Sequence, residues 1–386
     1  MNIATGASPA LHKPRNQDGL IVGIDTGGTF TDIVVLHPDG QVTINKAPTT
    51  PKNFSQGVID AVGVAAESLG MSPQDFLSRV SMFKHGTTVA TNALINRRGA
   101  RVGLITTRGF EDTVYIMRAI GRVDGLDDME IKHVTNVTKP KPLVDRPLIQ
   151  GVFERIDYRG DIVSPLDEKG VREAVTRLVD IDKVEAIAVS MLFSWMNPAH
   201  EDRVREIIRE LYPDRKIPVT LSHELAAQMG EYARTNTTVV NAFLWNTIDE
   251  YVTGLNKKLS YRGLPDDIMV MQANGGIVRP AQMTGVGTLQ SGPAGGMIAT
   301  AFVAQVLGHP NVITGDMGGT SFDVGLLTDH SLSHAREPIA ERFRLLQPMI
   351  NVESIGATRW RVRMVVCTTS DEATPKAEKT GDIGKI

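Results

Sequence analysis

Residues 24–32 read IDTGGTFTD and residues 315–323 read GDMGGTSFD. Both contain Asp-x-Gly-Gly-Thr-x-x-Asp, once near the start of the chain and once near its end. Around the first copy, the β-rich run LIVGID leads into the glycines. A second run, TDIVVL, then a Pro-Asp-Gly turn and a third run, QVTINKA, follow. Paired glycines and an Asp-Gly step between short β-branched runs are hairpin punctuation, so this spelling predicts an antiparallel meander of three strands. The second copy repeats the order as NVITGD, Gly-Gly-Thr, FDVGLL, TDHS and LSHARE. A strand–turn–strand–turn–strand unit that occurs twice predicts a duplicated architecture.

The repeated turn suits a particular chemistry. A Gly-Gly step lets the backbone approach a ligand closely and aim successive N–H groups at it, which makes a nest for phosphate oxygens. Thr29 and Thr31 in the first copy, and Thr320 and Ser321 in the second, add short hydroxyl donors. Asp25 and Asp316, at the strand ends, suit a hydrated Mg²⁺, because hard cations take carboxylate and water oxygens. For one copy alone, a tight hairpin whose carboxylates merely cap the turn is an equal alternative. Two copies in matching strand contexts favour the phosphate reading. No Gly-Lys-Ser/Thr opens a helix in Walker fashion, and no G-x-G-x-x-G follows a strand.

Between the copies, helical and strand patterns alternate, which predicts an α/β fold. FSQGVIDAVGVAAESLG has helical spacing and stops on Gly70. DEKGVREAVTRLVD reads as a helix, VEAIAVSMLF as a buried strand, and PAHEDRVREIIRELYP as a helix with Pro198 at its start. KIPVTLS reads as a strand and EYARTNTTVVNAFLWNTIDEYVTGLNKKL as a long helix despite its β-branched residues. IMVMQANGG is a strand running into a glycine turn, and PAGGMIATAFVAQVLG a glycine-entered helix. The Pro- and charge-rich stretch from about 120 to 165 predicts an irregular insertion near a domain boundary.

Bulk properties set the outer limits. A chain of 386 residues implies two or three domains. A net charge of −3 supplies no global field toward nucleic acid or anionic lipid. No stretch has the apolar length of a membrane span, and the polar start, MNIATGASPALHKPRNQDG, lacks a secretory apolar run. The single cysteine, Cys367, excludes an internal disulfide framework and a multi-cysteine zinc site. The expectation is a soluble, cytoplasmic protein with no nucleic-acid or membrane partner.

Several stretches in order, VGIDTGGTFTDIVV, HGTTVATNALINRRGARVGLITTRGFED, SHELAAQMGEYARTNTTVVNAFL, QANGG, LQSGPAGGMIATA and GDMGGTSFDVGLL, resemble the hydantoinase A / 5-oxoprolinase family. That family includes the ATP-handling subunits of acetone and acetophenone carboxylases. It belongs to the actin, sugar-kinase and heat-shock-chaperone ATPase superfamily. The resemblance runs from about residue 20 to Ala357. It implies two related ribonuclease-H-like domains of the actin-like ATPase type with a cleft between them, the second incomplete. The implied division is a leader at 1–18, domains at 19–213 and 214–356, and a divergent tail at 357–386. The two hairpins would face each other across one bound nucleotide.

The resemblance further implies ATP and Mg²⁺, a small-molecule carbonyl substrate and a hydantoinase B-type partner subunit in a hetero-oligomer. Such enzymes phosphorylate a carbonyl oxygen, either of a cyclic amide or imide that water then opens, or of a ketone that is then carboxylated. Asp25, Gly27, Gly28 and Thr29 would belong to the first phosphate hairpin, and Asp316, Gly318, Gly319 and Thr320 to the second. In SGPAGG, the residues Ser291, Gly292, Gly295 and Gly296 precede a helix whose N-terminus favours anions, with close backbone packing as the equal alternative. His85 in KHGTT is the candidate for donating to a carbonyl or shuttling a proton, against a plain structural histidine. Glu231 and Arg234 suit either a polar substrate or an i, i+3 ion pair on a solvated helix face. For His200 and Glu201, in the first turn of a helix, capping is the preferred account.

Relatives continue after Ile-Gly-Ala with a Gly-Gly-Gly-Ser type loop, whereas this chain reads TRWRVRMVV. A C-terminally shortened chain is therefore expected, through a reading-frame change near codon 358 or as an authentically short paralogue. A small-molecule kinase of the same superfamily and a non-catalytic nucleotide-binding or scaffold chain remain alternative functions.

Overall fold

A computed structural model describes residues 19–50, 53–135, 137–317, 321–356 and 367–368. The first meander forms as its spelling predicts, with β1 (Leu20–Thr26), β2 (Phe30–Leu36) and β3 (Val42–Pro48) joined antiparallel. Leu20, Val22 and Ile24 alternate inward on β1, and Ile33 and Val35 answer them on β2. The register that sets Val22 opposite Val35 and Ile24 opposite Ile33 therefore also sets Asp25 opposite Asp32 on the other face. Helix α1 (Phe54–Ser68) covers the apolar face with Val58, Ala61, Val62 and Ala65. It ends in a Schellman motif: Met71 N–H donates to Ala66 O at 2.9 Å and Gly70 N–H to Glu67 O at 3.0 Å. Gly70 takes the left-handed conformation this requires, at φ +65°.

Strand β4 (Val80–Thr87) lies parallel to β1, and a short helix α2 (Val89–Ile95) follows it. The chain then leaves this sheet for a long excursion that builds a second one. Strands β5 (Val102–Thr107), β6 (Ile149–Val152), β7 (Ala186–Ser190) and β8 (Val219–Leu221) stand in the order β8-β7-β5-β6, all parallel. Helix α3 (Glu168–Thr176) joins β6 toward β7, and α4 (Ala199–Leu211) joins β7 to β8. Every residue of β5 and β7 is buried, as expected for parallel strands covered on both faces.

The long helix is α5 (Glu231–Tyr261), buried without interruption from Tyr232 to Leu244. Its threonines are tolerated because their hydroxyls bond back to the helix, Thr237 to Ala233 O at 2.7 Å and Thr238 to Arg234 O at 2.8 Å. The chain then returns to the first sheet as β9 (Met269–Met271), parallel to β4, and β10 (Ile277–Val278). That sheet reads β10-β9-β4-β1-β2-β3.

Helix α6 (Ser291–Leu307) precedes the second meander, β11 (Val312–Met317), β12 (Ser321–Thr328) and β13 (Ser331–Leu332). Its register places Asp316 opposite Asp323, as the first places Asp25 opposite Asp32. β14 (Val352–Gly356) pairs with β12 and β15 (Cys367–Thr368) with β11. The packing forms two compact units, one running to Gly295 with His334–Ile350 added, the other Gly296–Ser333 with the residues from Asn351 on. In the second unit Ala304, Val312 and Leu327 are the buried apolar centre. Three consecutive strands paired antiparallel, as the repeat in the sequence predicts, are present in both.

Replacing Gly70 by Ala puts a side chain on a left-handed residue and is expected to cost about 1 kcal/mol of stability. Urea unfolding of the two proteins measures it, and equal midpoints would contradict the Schellman assignment.

Candidate functional site

The first hairpin is built around its two carboxylates. Asp25 reaches solvent at the end of β1, directly across the ladder from Asp32. Like charges at opposed positions destabilise a sheet. The next strand offsets this, since Lys46 of β3 faces Asp32 and binds it at 3.1 Å. The turn itself is closed by Gly27 N–H donating to Phe30 O at 3.0 Å. Of the expected row of N–H groups, Gly27 is thus committed inside the hairpin, and the exposed Gly28 and Thr29 are those the turn presents outward. Thr49 braces it from behind, donating its N–H to Thr29 O at 2.9 Å and its hydroxyl to Gly27 O at 3.0 Å. Thr31, expected as a ligand donor, is fully buried with its hydroxyl 3.1 Å from that of Thr49. It supports the turn from below.

Two glycines border the Asp25 carboxylate. A Cβ on Gly86, its neighbour across β4, would lie 2.9 Å from Asp25 Oδ1, and one on Gly292 would lie 3.4 Å from it. Ser291 ties the start of α6 to the end of β4: its hydroxyl donates to Thr87 O at 2.8 Å and accepts Thr87 N–H at 3.3 Å. Asp25, Gly86, Thr87, Ser291 and Gly292 therefore come together around one carboxylate with open backbone beside it. Gly86 and Thr87 belong to the same KHGTT stretch as His85. Gly295 meets only the Met271 methyl at 3.7 Å, and Gly296 has open space where a Cβ would go. Of the side-chain oxygens here, the Thr87 and Ser291 hydroxyls are buried and bonded within the chain. The Asp25 carboxylate is the one that reaches solvent, a hard oxygen group that suits hydrated Mg²⁺ better than a softer metal.

His85 lies one residue away in register but on the opposite face, aligned with Ile24 and almost fully buried. Its Nε2 is 2.8 Å from the Tyr251 hydroxyl of α5. Its Nδ1 has no well-formed hydrogen bond. Burial lowers its pKa from 6.5 to about 4, against a weaker opposite pull from the Ile24 backbone. Burial likewise pushes the Tyr251 phenol up to about 12, with the Asp25 charge adding to it. At neutral pH this is an uncharged buried pair under the sheet.

Two expectations from the sequence are corrected. Arg234 is not on a solvated face: it is 1% exposed and donates to Met191 O at 2.6 Å. No ion pair joins it to Glu231 among the described residues. His200 and Glu201 do not cap α4; its Ala199 N–H donates instead to Asn197 Oδ1 at 3.1 Å. His200 Nδ1 is 2.7 Å from the buried Glu154 carboxylate. Glu201, wholly buried, accepts from Met191 N–H at 2.8 Å, Ser222 hydroxyl at 2.6 Å and His223 N–H at 3.1 Å, and lies 2.8 Å from His223 Nδ1. Burial alone would raise its carboxyl, but these bonds hold it below the usual range. Their local positions suggest a helix start for His200 and Glu201 and a solvated face for Arg234, and the packing of β7 and β8 against their helices brings all three inside.

In the second hairpin, partial burial, and after it the like charge of Asp323 across the ladder, raise the Asp316 carboxyl. Gly318, Gly319 and Thr320 lie outside the described residues, as does the Ser321 side chain.

Comparison with known proteins follows the same lines. The family described as "Hydantoinase/oxoprolinase N-terminal region" matches residues 21–212, and "Hydantoinase/oxoprolinase" matches 234–359. The chain is 40% identical to the acetophenone carboxylase gamma subunit of Aromatoleum aromaticum over 347 residues, covering 89% of this chain and 47% of that one. It is 36% identical to the caprolactamase subunit alpha of Pseudomonas jessenii, over 87% of this chain and 47% of that one. A nucleotide-free acetone carboxylase structure superposes with a TM-score of 0.81 at 33% identity, over 88% of this chain and 48% of that chain. The chain thus spans about half the length of these relatives, and its α/β fold is of the actin-like ATPase type.

Because the folded pKa of His85 is depressed, its stabilising contribution is complete above pH 6.5 and is lost as the pH falls toward about 4. Replacing His85 by Gln is expected to remove up to about 3 kcal/mol of acid sensitivity in that window. Urea midpoints measured against pH for both proteins test this; parallel curves would show that His85 is not a buried neutral histidine.

Proposed function

The chain belongs to the hydantoinase/oxoprolinase family, and on that premise we propose that it is an ATP-dependent carbonyl-activating subunit acting on a cyclic amide or imide. The observation that carries this is the hairpin built twice in one register, Asp25 opposite Asp32 and Asp316 opposite Asp323, beside Gly-Gly turns. Phosphoryl transfer asks a protein mainly to position phosphates and absorb charge, which backbone N–H groups and carboxylate-held Mg²⁺ do. Gly28 and Thr29 would donate to phosphate oxygens, and Asp25 and Asp316, each in its own hairpin, suit water-bridged Mg²⁺. Gly318, Gly319 and Thr320 take the equivalent part in the second copy.

In the reaction, the carbonyl oxygen bonds to the γ-phosphorus as the bond from that phosphorus to the ADP oxygen breaks. One water then adds at the activated carbon and the ring C–N bond opens, the nitrogen leaving as an amine that takes up a proton, which gives an acyl phosphate. A second water hydrolyses that to a carboxylate and free phosphate. His85, buried on the far face, would act by holding Tyr251 and the β1–β4 floor in place. Ser291 fixes the start of α6 beside Asp25, with Gly292 leaving room next to the carboxylate; Gly295 and Gly296 would continue the small-residue backbone of the helix start.

Ketone activation for carboxylation is the second reading, favoured by the 40% identity to a carboxylase subunit. In either case a partner of the hydantoinase B type would complete the enzyme in the cytoplasm. No described helix is long and apolar enough to cross a membrane.

Asp25→Ala and Asp316→Ala are each expected to weaken Mg·ATP binding at least about tenfold, a loss of about 1.4 kcal/mol, without unfolding the chain. Isothermal titration calorimetry reads this directly. Unchanged affinity in both variants would refute the phosphate-site assignment.

A further inference from the structure

Beside the tip of the first hairpin, within the first unit, lies an open cavity of about 730 Å³. That volume is in the range of small-molecule sites. Gly28 forms one edge of it, so a ligand inside would sit next to the turn that presents outward N–H groups. One wall is apolar, from Phe54 at the start of α1 and Ala93 on α2. The rest of the lining is polar, with Asn92 on α2, Asn246 and Thr247 on α5, and the charged Arg98, Glu185 and Glu250 at its border. Asn92 already donates one N–H to the Thr88 hydroxyl at 3.2 Å. Asn246 is half-buried and makes no side-chain hydrogen bond among the described residues.

With no partner within the described chain, the Asn246 carboxamide keeps its bonding capacity for whatever enters the cavity. It offers an oxygen acceptor and an N–H donor side by side on one edge. A small-ring lactam is locked in the cis amide form, so its C=O and N–H also lie side by side on one edge. The two edges match as a pair of antiparallel hydrogen bonds, while the ring methylenes fit the Phe54 and Ala93 wall. A ketone supplies an acceptor only and would leave the Asn246 oxygen unanswered, the kind of mismatch by which polar sites reject analogues.

We propose that this cavity is the carbonyl-substrate pocket, and that Asn246 selects a cyclic secondary amide over a ketone by pairing with its C=O and N–H together. The assignment rests on the carbonyl-activating reading for its purpose, but binding can be measured without it. The full chain is titrated, with ligand-observed NMR, against 2-pyrrolidinone, N-methyl-2-pyrrolidinone and cyclopentanone. These probes share ring size, and only the first carries an amide N–H. 2-Pyrrolidinone is expected to bind about tenfold more tightly than either of the others. Asn246→Leu, checked for folding by its thermal midpoint, should abolish that difference.

Equal affinities for the three probes, or no binding by any, would overturn the assignment in the unmodified protein alone. A preference that survives Asn246→Leu would overturn the role of Asn246. Mg·ATP is titrated into the same samples. Lost nucleotide binding with an intact lactam preference would count against the ATP reading and leave the pocket standing, and the reverse pattern would do the opposite.

Discussion

Asp25 and Asp32 stand directly opposite each other across the β1–β2 ladder, and the arrangement is imposed by the core. With Val22, Ile24, Ile33 and Val35 packed inward, slipping the register by one residue would turn all of them to solvent. The carboxylates are therefore held in opposition by apolar burial on the far face of the same strands. Lys46 offsets part of the repulsion by binding Asp32. The second hairpin keeps the same opposition at Asp316 and Asp323, and there the like charge contributes to a raised Asp316 carboxyl.

The floor beneath Asp25 shows how packing and chemistry are joined. Gly86 and Gly292 keep side chains away from the carboxylate, while Ser291 bonds both backbone groups of Thr87. On the opposite face, His85 and Tyr251 fill the space under the same strands as an uncharged pair. One pleat thus separates the solvent-facing polar row from the buried one. Farther off, Glu201 gathers donors from Met191, Ser222 and His223 and so ties β7, α4 and the segment after β8 into one body. Burying a carboxylate is tolerable only with such full bonding.

Much of this was legible in the sequence. The glycine and Asp-Gly punctuation located both meanders, and the Gly70 stop marked the turn that ends α1, two residues past Ser68. Strands alternating with helices marked the α/β class, and the long helix α5 was recognisable despite its threonines. The misreadings have a common cause. Arg234, His200 and Glu201 sit on helices, and their burial depends on strands far away in the chain. The Tyr251 partner of His85 is 166 residues distant, with no local pattern to announce it. Thr31 was read as a ligand donor from its place in the motif, whereas strand alternation turns it inward to Thr49. Local chemistry is written in short spacings, and the direction a polar side chain takes is settled by packing.

The claim on which the rest depends is that the Gly-Gly turns hold nucleotide phosphates through backbone N–H groups. Glycine-selective ¹⁵N labelling with a transverse-relaxation-optimised NMR titration of Mg·ATP tests it most directly. The account predicts large shifts at Gly28 and at the counterparts Gly318 and Gly319, with smaller ones at Gly27, whose N–H is already committed to Phe30 O. Saturable Mg·ATP binding that leaves Gly28, Gly318 and Gly319 unmoved would contradict it.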